Sequence, residues 1–346
     1  VPRIDYTGGG CPHILAEPMR TNLIPYSEDF SSWTTVSATL TPNQLSPDGT
    51  NNAYIVEDDN ASGFERVDET ITTTATPCTL SVFIKKKTSS VSTYSGIQMG
   101  TGFSYLIFDS YNGTYNQNEN TNYDSIEVEN FNSDWWRLKL TATVTTSTRV
   151  GLWGAISTNG TTINTAATGS ETFWGTQFEE GSYATSYIPT SGSTVTRNQD
   201  IFTRDGIGSL INSTEGVLFL EISGFVNGGD GDRALSISDG STQNAIQLYL
   251  HNTANRINFR LRSGGSLDVN ISDLTFEQNE TNKIACKYKS GDYALWINGE
   301  EKATSTSNSL PSGLSELAFN DGSGNTFFGK VKQLQVYKTS LSDEQL

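Results

Sequence analysis

The chain has 346 residues, with aromatic side chains at 10% of its positions, charged side chains at 17% and a formal net charge of −16. This acidity argues against nucleic acid or an anionic membrane surface as a partner, because phosphate binding needs clustered Lys and Arg. The sequence has no run of about 18 apolar residues, so we expect no membrane insertion. The length predicts two domains or one large β-sandwich.

Residue counts also bear on disulfides, metals and processing. Cys11, Cys78 and Cys286 are odd in number and widely spaced, which favours free thiols over a Cys11–Cys78 bridge. With only two histidines and no paired cysteines, we expect no zinc site. Val1 is not a start methionine and no signal-peptide pattern follows it, so we expect a fragment or a processed product.

The first half of the chain has the pattern of short strands joined by turns. Residues 1–25 are predicted to form an extended lead-in that packs along a sandwich of residues 26–190. Within that sandwich, Trp136 and Leu138 occupy one side of a strand, whereas Trp135 and Arg137 occupy the other. The alternation predicts an antiparallel sandwich of the jelly-roll type, closed by the strand in residues 173–190.

Two stretches at the ends of this half carry a family resemblance. An aromatic-Trp-Gly-x-Gln-x-Glu-x-Gly strand followed by Thr-Ser-Tyr-Ile-Pro-Thr occupies residues 173–190. A second characteristic pattern occupies residues 2–6 and 17–30. Both resemble a module common in phage tail, fibre and prophage structural proteins. The resemblance implies a virion or extracellular location.

The layout of the first half also resembles carbohydrate-binding modules of the jelly-roll type, through the turn-Trp-aromatic-Arg strand of residues 132–138. Sugar binding needs flat aromatic faces flanked by polar groups. Trp135 and Arg137 are therefore candidates for a glycan platform, and Trp153 is a second one. The alternative is that Trp135 and Trp153 are rim or interface residues covered by loops.

The same resemblance implies a structural calcium near the ends of the jelly roll. Glu28, Asp29 and Glu179 fall at the matching positions, and carboxylate oxygens suit calcium. The alternative is that these side chains are solvated acids at loop ends.

The second half is predicted to follow a linker of residues 191–213 and to span residues 214–346. Its strands alternate cleanly, and Asn298-Gly299 is a strong hairpin-turn signal. Residues 294–300 and 328–337 resemble the hairpin and closing strand of concanavalin A-like, laminin-G-like lectin domains. Overall, the sequence predicts an all-β chain of two tandem antiparallel β-sandwiches.

A second candidate glycan surface lies in this half. Trp296 alternates with the inward Leu295 and Ile297 and is expected to lie on the polar side of its sheet. We expect a basic face there, shared with Arg260, Arg262 and Lys287. Four loop aspartates are weaker candidates for calcium or ligand: Asp230, Asp232, Asp239 and Asp321.

The sequence contains no recognisable catalytic pattern. Glu221 stands alone, without the Glu-x-Asp-x-x-Glu strand of glucanases that share this fold, and neither His13 nor His251 lies in a Gln-x-His lyase strand. We therefore expect a non-catalytic adhesin module of a phage tail, receptor-binding or head-fibre protein. Its expected partner is a cell-surface polysaccharide or glycan, and we expect a homo-oligomer, as in trimeric fibres, or contacts with other virion proteins. The alternatives are a structural virion protein that binds neighbouring subunits, or the binding appendage of a polysaccharide-degrading enzyme.

Overall fold

The computed structural model describes residues 3–6, 11–74, 76–100, 105–117, 123–229 and 231–346. In these ranges the strands form antiparallel sheets, and the helical turns are three short 3-10 helices at Phe30–Ser32, Gly208–Leu210 and Asp343–Gln345. No helix among the described residues is long and apolar enough to cross a membrane. The prediction of an all-β chain built from antiparallel sandwiches is confirmed.

The strands are numbered in chain order. The first sixteen are β1 (Arg3–Asp5), β2 (His13–Ala16), β3 (Arg20–Asn22), β4 (Thr34–Val36), β5 (Thr39–Gln44), β6 (Ala53–Asp58), β7 (Arg66–Thr72), β8 (Pro77–Lys85), β9 (Tyr94–Met99), β10 (Tyr105–Asp109), β11 (Thr114–Gln117), β12 (Ser125–Asn130), β13 (Trp135–Thr143), β14 (Ser147–Ser157), β15 (Gly169–Glu180) and β16 (Val195–Arg197). The others are β17 (Thr203–Arg204), β18 (Glu215–Ser223), β19 (Arg233–Ser238), β20 (Ala245–Leu250), β21 (Ile257–Ser263), β22 (Ser266–Asp273), β23 (Asn282–Lys289), β24 (Tyr293–Ile297), β25 (Glu300–Ser305), β26 (Glu316–Ala318) and β27 (Gly329–Tyr337).

The chain divides into two compact units, and one is inserted in the other. The jelly-roll unit comprises Met19–Asn198, and the split unit comprises Val1–Pro18 together with Gln199–Leu346. This differs from the predicted lead-in over residues 1–25, because β2 pairs with β27 and Ala16 is fully buried in the core of the split unit. The two sandwiches are therefore nested in the chain and not strictly consecutive.

The jelly-roll unit has two six-stranded sheets, with the orders β4-β7-β14-β9-β10-β11 and β5-β6-β15-β8-β13-β12. Consecutive strands such as β6 and β7, β8 and β9, and β13 and β14 lie in opposite sheets, which is the jelly-roll connection. Leu138 and Leu140 of β13 lie in the core between these sheets, as their alternation predicts, and Trp136 packs against that core. Short strands β3 and β16 pair with each other in the same unit.

The split unit has a seven-stranded sheet, β1-β2-β27-β18-β23-β24-β25, and a six-stranded sheet, β17-β26-β19-β20-β21-β22. Apolar rows on both sheets meet in one core, for example Leu218 and Leu220 of β18 with Ile246 and Leu248 of β20. The predicted Asn298-Gly299 hairpin joins β24 to β25, and Asn298 adopts φ 54°. A positive φ at both turn residues is what an Asn-Gly hairpin turn requires.

The chain leaves the split unit after Pro18 and returns to it at Gln199, and hydrogen bonds join the residues on either side of this insertion. Asp200 N–H donates to the carbonyl of Glu17 at 2.9 Å, and Glu17 N–H donates to the Asp200 carboxylate at 2.7 Å. Arg3 forms salt bridges with both acids, and its Nε donates to Asp200 Oδ1 at 3.2 Å. The predicted linker over 191–213 is thus tied down, and Phe202 packs on Phe319 with ring centroids 4.9 Å apart.

Candidate functional site

The predicted platform in the jelly-roll unit is covered. Trp135 and Arg137 lie on the outer face of β13, as the alternation predicts, but the side chains are buried, with 3% and 8% exposure. Residues 181–190 fold back over this face after β15. Arg137 donates to the carbonyl of Thr185 at 2.7 Å, and Tyr187 packs on Trp174 at 4.7 Å between ring centroids. The prediction of an exposed platform at Trp135 and Arg137 is wrong.

Trp153 is also buried, with 1% exposure. It lies on the outer face of the other sheet of the jelly roll, where Tyr105 packs edge-on at 4.9 Å between ring centroids. Phe64 and Ile163, from two loops, pack against the same cluster. The loops thus cover Trp153, as the alternative interpretation anticipated, and its prediction as an exposed glycan contact is wrong.

The three predicted calcium ligands do not come together. Glu28 and Asp29 line a polar pocket of 260 Å³ with Asn52 and Tyr54, whereas Glu179 is not among its walls. Glu179 is fully buried and accepts hydrogen bonds from the Thr185 N–H and hydroxyl, each at 2.7 Å. Its oxygens are therefore used within the protein.

The pocket at Glu28 and Asp29 is acidic and already hydrogen-bonded. Asn52 donates to Glu28 at 2.7 Å, and Tyr54 donates to Asp29 at 2.8 Å. Burial raises the pKa of Glu28, and the charge of Asp48 adds to that rise. Across the described ranges no three acidic, histidine or cysteine side chains group as a metal site, so the residues do not fit the predicted three-carboxylate set. Calcium binding here stays a prediction.

The basic face predicted around Trp296 is divided between two sheets. Arg260 and Arg262 belong to β21 of the six-stranded sheet, whereas Trp296 belongs to β24 of the seven-stranded sheet. Arg260 lies over the ring of Tyr249 at 4.1 Å, and Arg262 donates to the carbonyl of Gly265 at 3.2 Å. The prediction that Arg260 and Arg262 share a face with Trp296 is therefore wrong, because β21 and β24 lie in the two sheets that enclose the core. Lys287, the third residue predicted for this face, does lie in the same sheet as Trp296, in the neighbouring strand β23.

The predicted loop aspartates serve as hydrogen-bond acceptors. Asp321 accepts from Tyr249 at 2.8 Å and also from Ser323 and Asn325. Asp239 accepts from Ser241, and Asp232 from the N–H of Asn252. Asp230 lies outside the described residues.

The surface around Trp296 has a regular geometry set by strand register. Phe219 of β18 pairs with Ala285 of β23, which pairs with Trp296 of β24. All three side chains point away from the core, because their neighbours Leu218, Cys286 and Leu295 belong to it. Phe219 and Trp296 are half-buried, and Ala285 is 4% exposed. We call Phe219, Ala285, Trp296 and the outward residues beside them the Trp296 face.

On the Trp296 face, two half-buried aromatic side chains flank one small side chain, and we call this row the trough. Two strand spacings separate the backbones of Phe219 and Trp296 by about 10 Å, and the small Ala285 side chain forms the floor. The row continues to polar residues, with Gln335 opposite Phe219 and Glu301 opposite Trp296. The indole N–H of Trp296 is buried and donates no hydrogen bond within the described part of the chain. Flat apolar walls beside polar side chains suit a ligand that has both kinds of surface.

Charged pairs border the trough. Lys287, two residues beyond Ala285, reaches Asp292 at 3.0 Å and Asp343 at 3.1 Å. Burial alone would lower the pKa of Lys287, but the hydrogen bonds to these two acids outweigh it and raise the pKa. Glu221 pairs with Lys332 at 2.6 Å. The Glu221–Lys332 pair is neutral, whereas Lys287 with its two acids leaves one net negative charge beside the trough.

Sequence reasoning missed Phe219 and Ala285. The signal was present, since Phe219 alternates with Leu218 and Leu220 and Ala285 alternates with Ile284 and Cys286. What the sequence does not give is the lateral register that aligns the two positions with Trp296.

Comparisons with known proteins agree with the fold of the split unit. Residues 226–346 match the family model described as the concanavalin A-like lectin/glucanases superfamily. This match and the two facing sheets support a concanavalin A-like/laminin-G-like fold for the split unit. No curated protein sequence matches the chain.

Several solved structures are similar at low identity. The IT-sialidase CBM40 of Ruminococcus gnavus is 18% identical, with 42% of this chain and 96% of that chain covered and a TM-score of 0.35. Sheep galectin-11 is 6% identical, with 40% and 97% covered and a TM-score of 0.29. Domains LG4-5 of the mouse laminin α1 chain are 13% identical, with 99% and 95% covered and a TM-score of 0.28.

Proposed function

We propose that the chain binds carbohydrate through the Trp296 face of its concanavalin A-like/laminin-G-like domain. The observation that carries this proposal is the transverse row Phe219, Ala285 and Trp296, which presents two aromatic walls on the outer side of the sheet. A pyranose ring has an apolar face that stacks on an aromatic ring and hydroxyl groups that bond to polar neighbours. Polar side chains at both ends of the row supply those partners.

The family match and the printed names of the similar structures support the ligand class. The matched family model names lectins and glucanases, and R. gnavus IT-sialidase CBM40 has been solved bound to α2,3- and α2,6-sialyllactose. On this basis we propose a glycan as ligand. The missing Glu-x-Asp-x-x-Glu strand of glucanases supports a binding role without bond cleavage. Glu221, the lone acid considered as a catalytic candidate, is paired with Lys332 at the border of the trough.

A glycan array probed with the full chain tests the proposal. Trp296→Ala is expected to weaken binding at least about tenfold, equivalent to ~1.4 kcal/mol. Ala285→Trp is expected to abolish binding, because a large side chain fills the trough while both walls remain. Phe131→Ala is the matched control, since Phe131 is a 40% exposed aromatic of the jelly-roll unit. Unchanged binding by both trough variants would overturn the assignment.

For the biological setting, we propose a phage tail or fibre protein in which many copies act together. The support is the resemblance of residues 2–6, 17–30 and 173–190 to phage structural modules. Weak individual sites gain avidity when several copies engage one surface. Two measurements test this setting. We expect to detect the protein in purified virions, and we expect its glycan binding to fall steeply when it is dispersed as single chains. A protein absent from virions would contradict it.

A further inference from the structure

A second cavity lies between the two sheets of the split unit. At one side of the sandwich β22 and β25 contact each other. At the opposite side the sheets end in β1 and β17, which have three and two residues. Between the sheets near these short strands is a pocket of 440 Å³. Its volume is within the range of about 300–1,000 Å³ that is typical of small-molecule sites.

The body of this pocket is apolar and continuous with the core. Ile14 and Leu334 come from the seven-stranded sheet, and Phe202, Leu317 and Phe319 come from the side of the six-stranded sheet. Four of these five side chains are only partly buried while they pack against the core, and Phe319 is 6% exposed. Water in such a pocket finds few polar partners, so an apolar ligand that displaces it gains burial.

The polar rim has an uneven charge balance. Asp200 lines the pocket, but Arg3 and the Glu17 N–H already satisfy its carboxylate. Arg204, also at the pocket, is exposed and forms no ion pair within the described ranges. The pocket therefore has an apolar body and one guanidinium available at its mouth. A guanidinium binds a carboxylate with two parallel hydrogen bonds.

We propose that this pocket binds an apolar carboxylate of the fatty-acid type, with its alkyl chain between the sheets and its carboxylate on Arg204. Charge complementarity argues for this occupant, because Asp200 is already ion-paired with Arg3 and Arg204 is the one charged lining residue without an ion pair in the described ranges. The site is separate from the Trp296 face and shares no residue with it.

Calorimetric titration of the full chain with decanoate, and in parallel with the neutral 1-decanol, tests the proposal. The parent protein is expected to bind decanoate at least tenfold more tightly than decanol. Arg204→Gln is expected to remove this difference, while the control Lys338→Gln, an exposed cation of the same unit, retains it. Leu334→Trp is expected to abolish the binding of both decanoate and decanol, because the larger side chain fills the pocket. The control Leu267→Trp, which adds the same side chain at an exposed position, is expected to leave both unchanged.

Each other outcome overturns the proposal. No heat with decanoate in the parent excludes the ligand class, and an Arg204→Gln protein that still prefers decanoate excludes the assigned carboxylate contact. Binding that survives in a folded Leu334→Trp protein places the ligand elsewhere. Arg204→Gln leaves glycan binding unchanged if both proposals hold, so failure of one does not imply failure of the other.

Discussion

The carboxylate of Asp321 offers a stability test with a defined pH signature. It is 4% exposed and accepts hydrogen bonds from Tyr249, Ser323 and Asn325. Burial by itself would raise its pKa, but these hydrogen bonds outweigh burial and lower the pKa from the ordinary 3.8 to about 2. Asp321→Asn keeps the size of the side chain and removes its charge.

The size of the effect follows from the two pKa values. A carboxylate whose pKa is lower in the folded than in the unfolded state contributes stability above the unfolded pKa, and this is lost as pH falls through the folded pKa. The difference between 3.8 and about 2 is equivalent to about 2.4 kcal/mol at pH 7. By pH 3 about 1 kcal/mol of this contribution is gone.

Urea unfolding at pH 7 and at pH 3 measures the prediction. We expect Asp321→Asn to lower the free energy of unfolding of the split unit by about 2 kcal/mol at pH 7 and by roughly half of that at pH 3. Asp205→Asn, at an exposed position, is the control and should change little at either pH. An equal loss at both pH values, or no loss at pH 7, would refute the assignment of the effect to the charge.

Three further perturbations have expected outcomes. Arg137→Ala removes a charged donor to Thr185 and should lower the unfolding free energy of the jelly-roll unit by about 2 kcal/mol in urea, without changing glycan binding. Glu179→Gln should lower the melting temperature by the same amount with calcium and with a chelator. A lower melting temperature seen only with calcium would show that Glu179 is a calcium ligand. Replacing residues 19–198 by a short Gly-Ser linker should leave a folded split unit, because Glu17 and Asp200 are hydrogen-bonded neighbours, and a disordered NMR spectrum would contradict this.

Strand periodicity correctly predicted which side of its strand a residue occupies, for example in β13, which pairs with the preceding strand β12. Trp135 and Arg137 lie opposite Leu138, as expected. Exposure was predicted less well, because the outer face of β13 is covered by residues 181–190, which arrive from the end of another strand. No pattern within β13 indicates that cover.

The larger errors concern contacts distant in sequence. Alternation placed Trp296 on an outer face but could not show which strand brings Phe219 beside it, since lateral register depends on pairing between strands. In the same way, β2 has an ordinary strand pattern and its partner β27 lies beyond the whole jelly-roll unit. Because β2 precedes the jelly-roll unit directly in the chain, we expected it to pack on that unit. Its apolar side chains instead complete the core of the split unit.

The insertion has a consequence for the order of events during translation. The jelly-roll unit is contiguous and can fold as soon as it leaves the ribosome, whereas β2 waits for β27, whose first residue is made 313 positions after Ala16. At about 5–20 residues per second this delay is roughly 15–60 s. A jelly roll that is already folded holds its two ends together and replaces a floppy 180-residue loop by a short span, which lowers the entropic cost of closing the split unit. Variants that slow jelly-roll folding should therefore reduce the yield of the folded split unit even though they alter none of its residues.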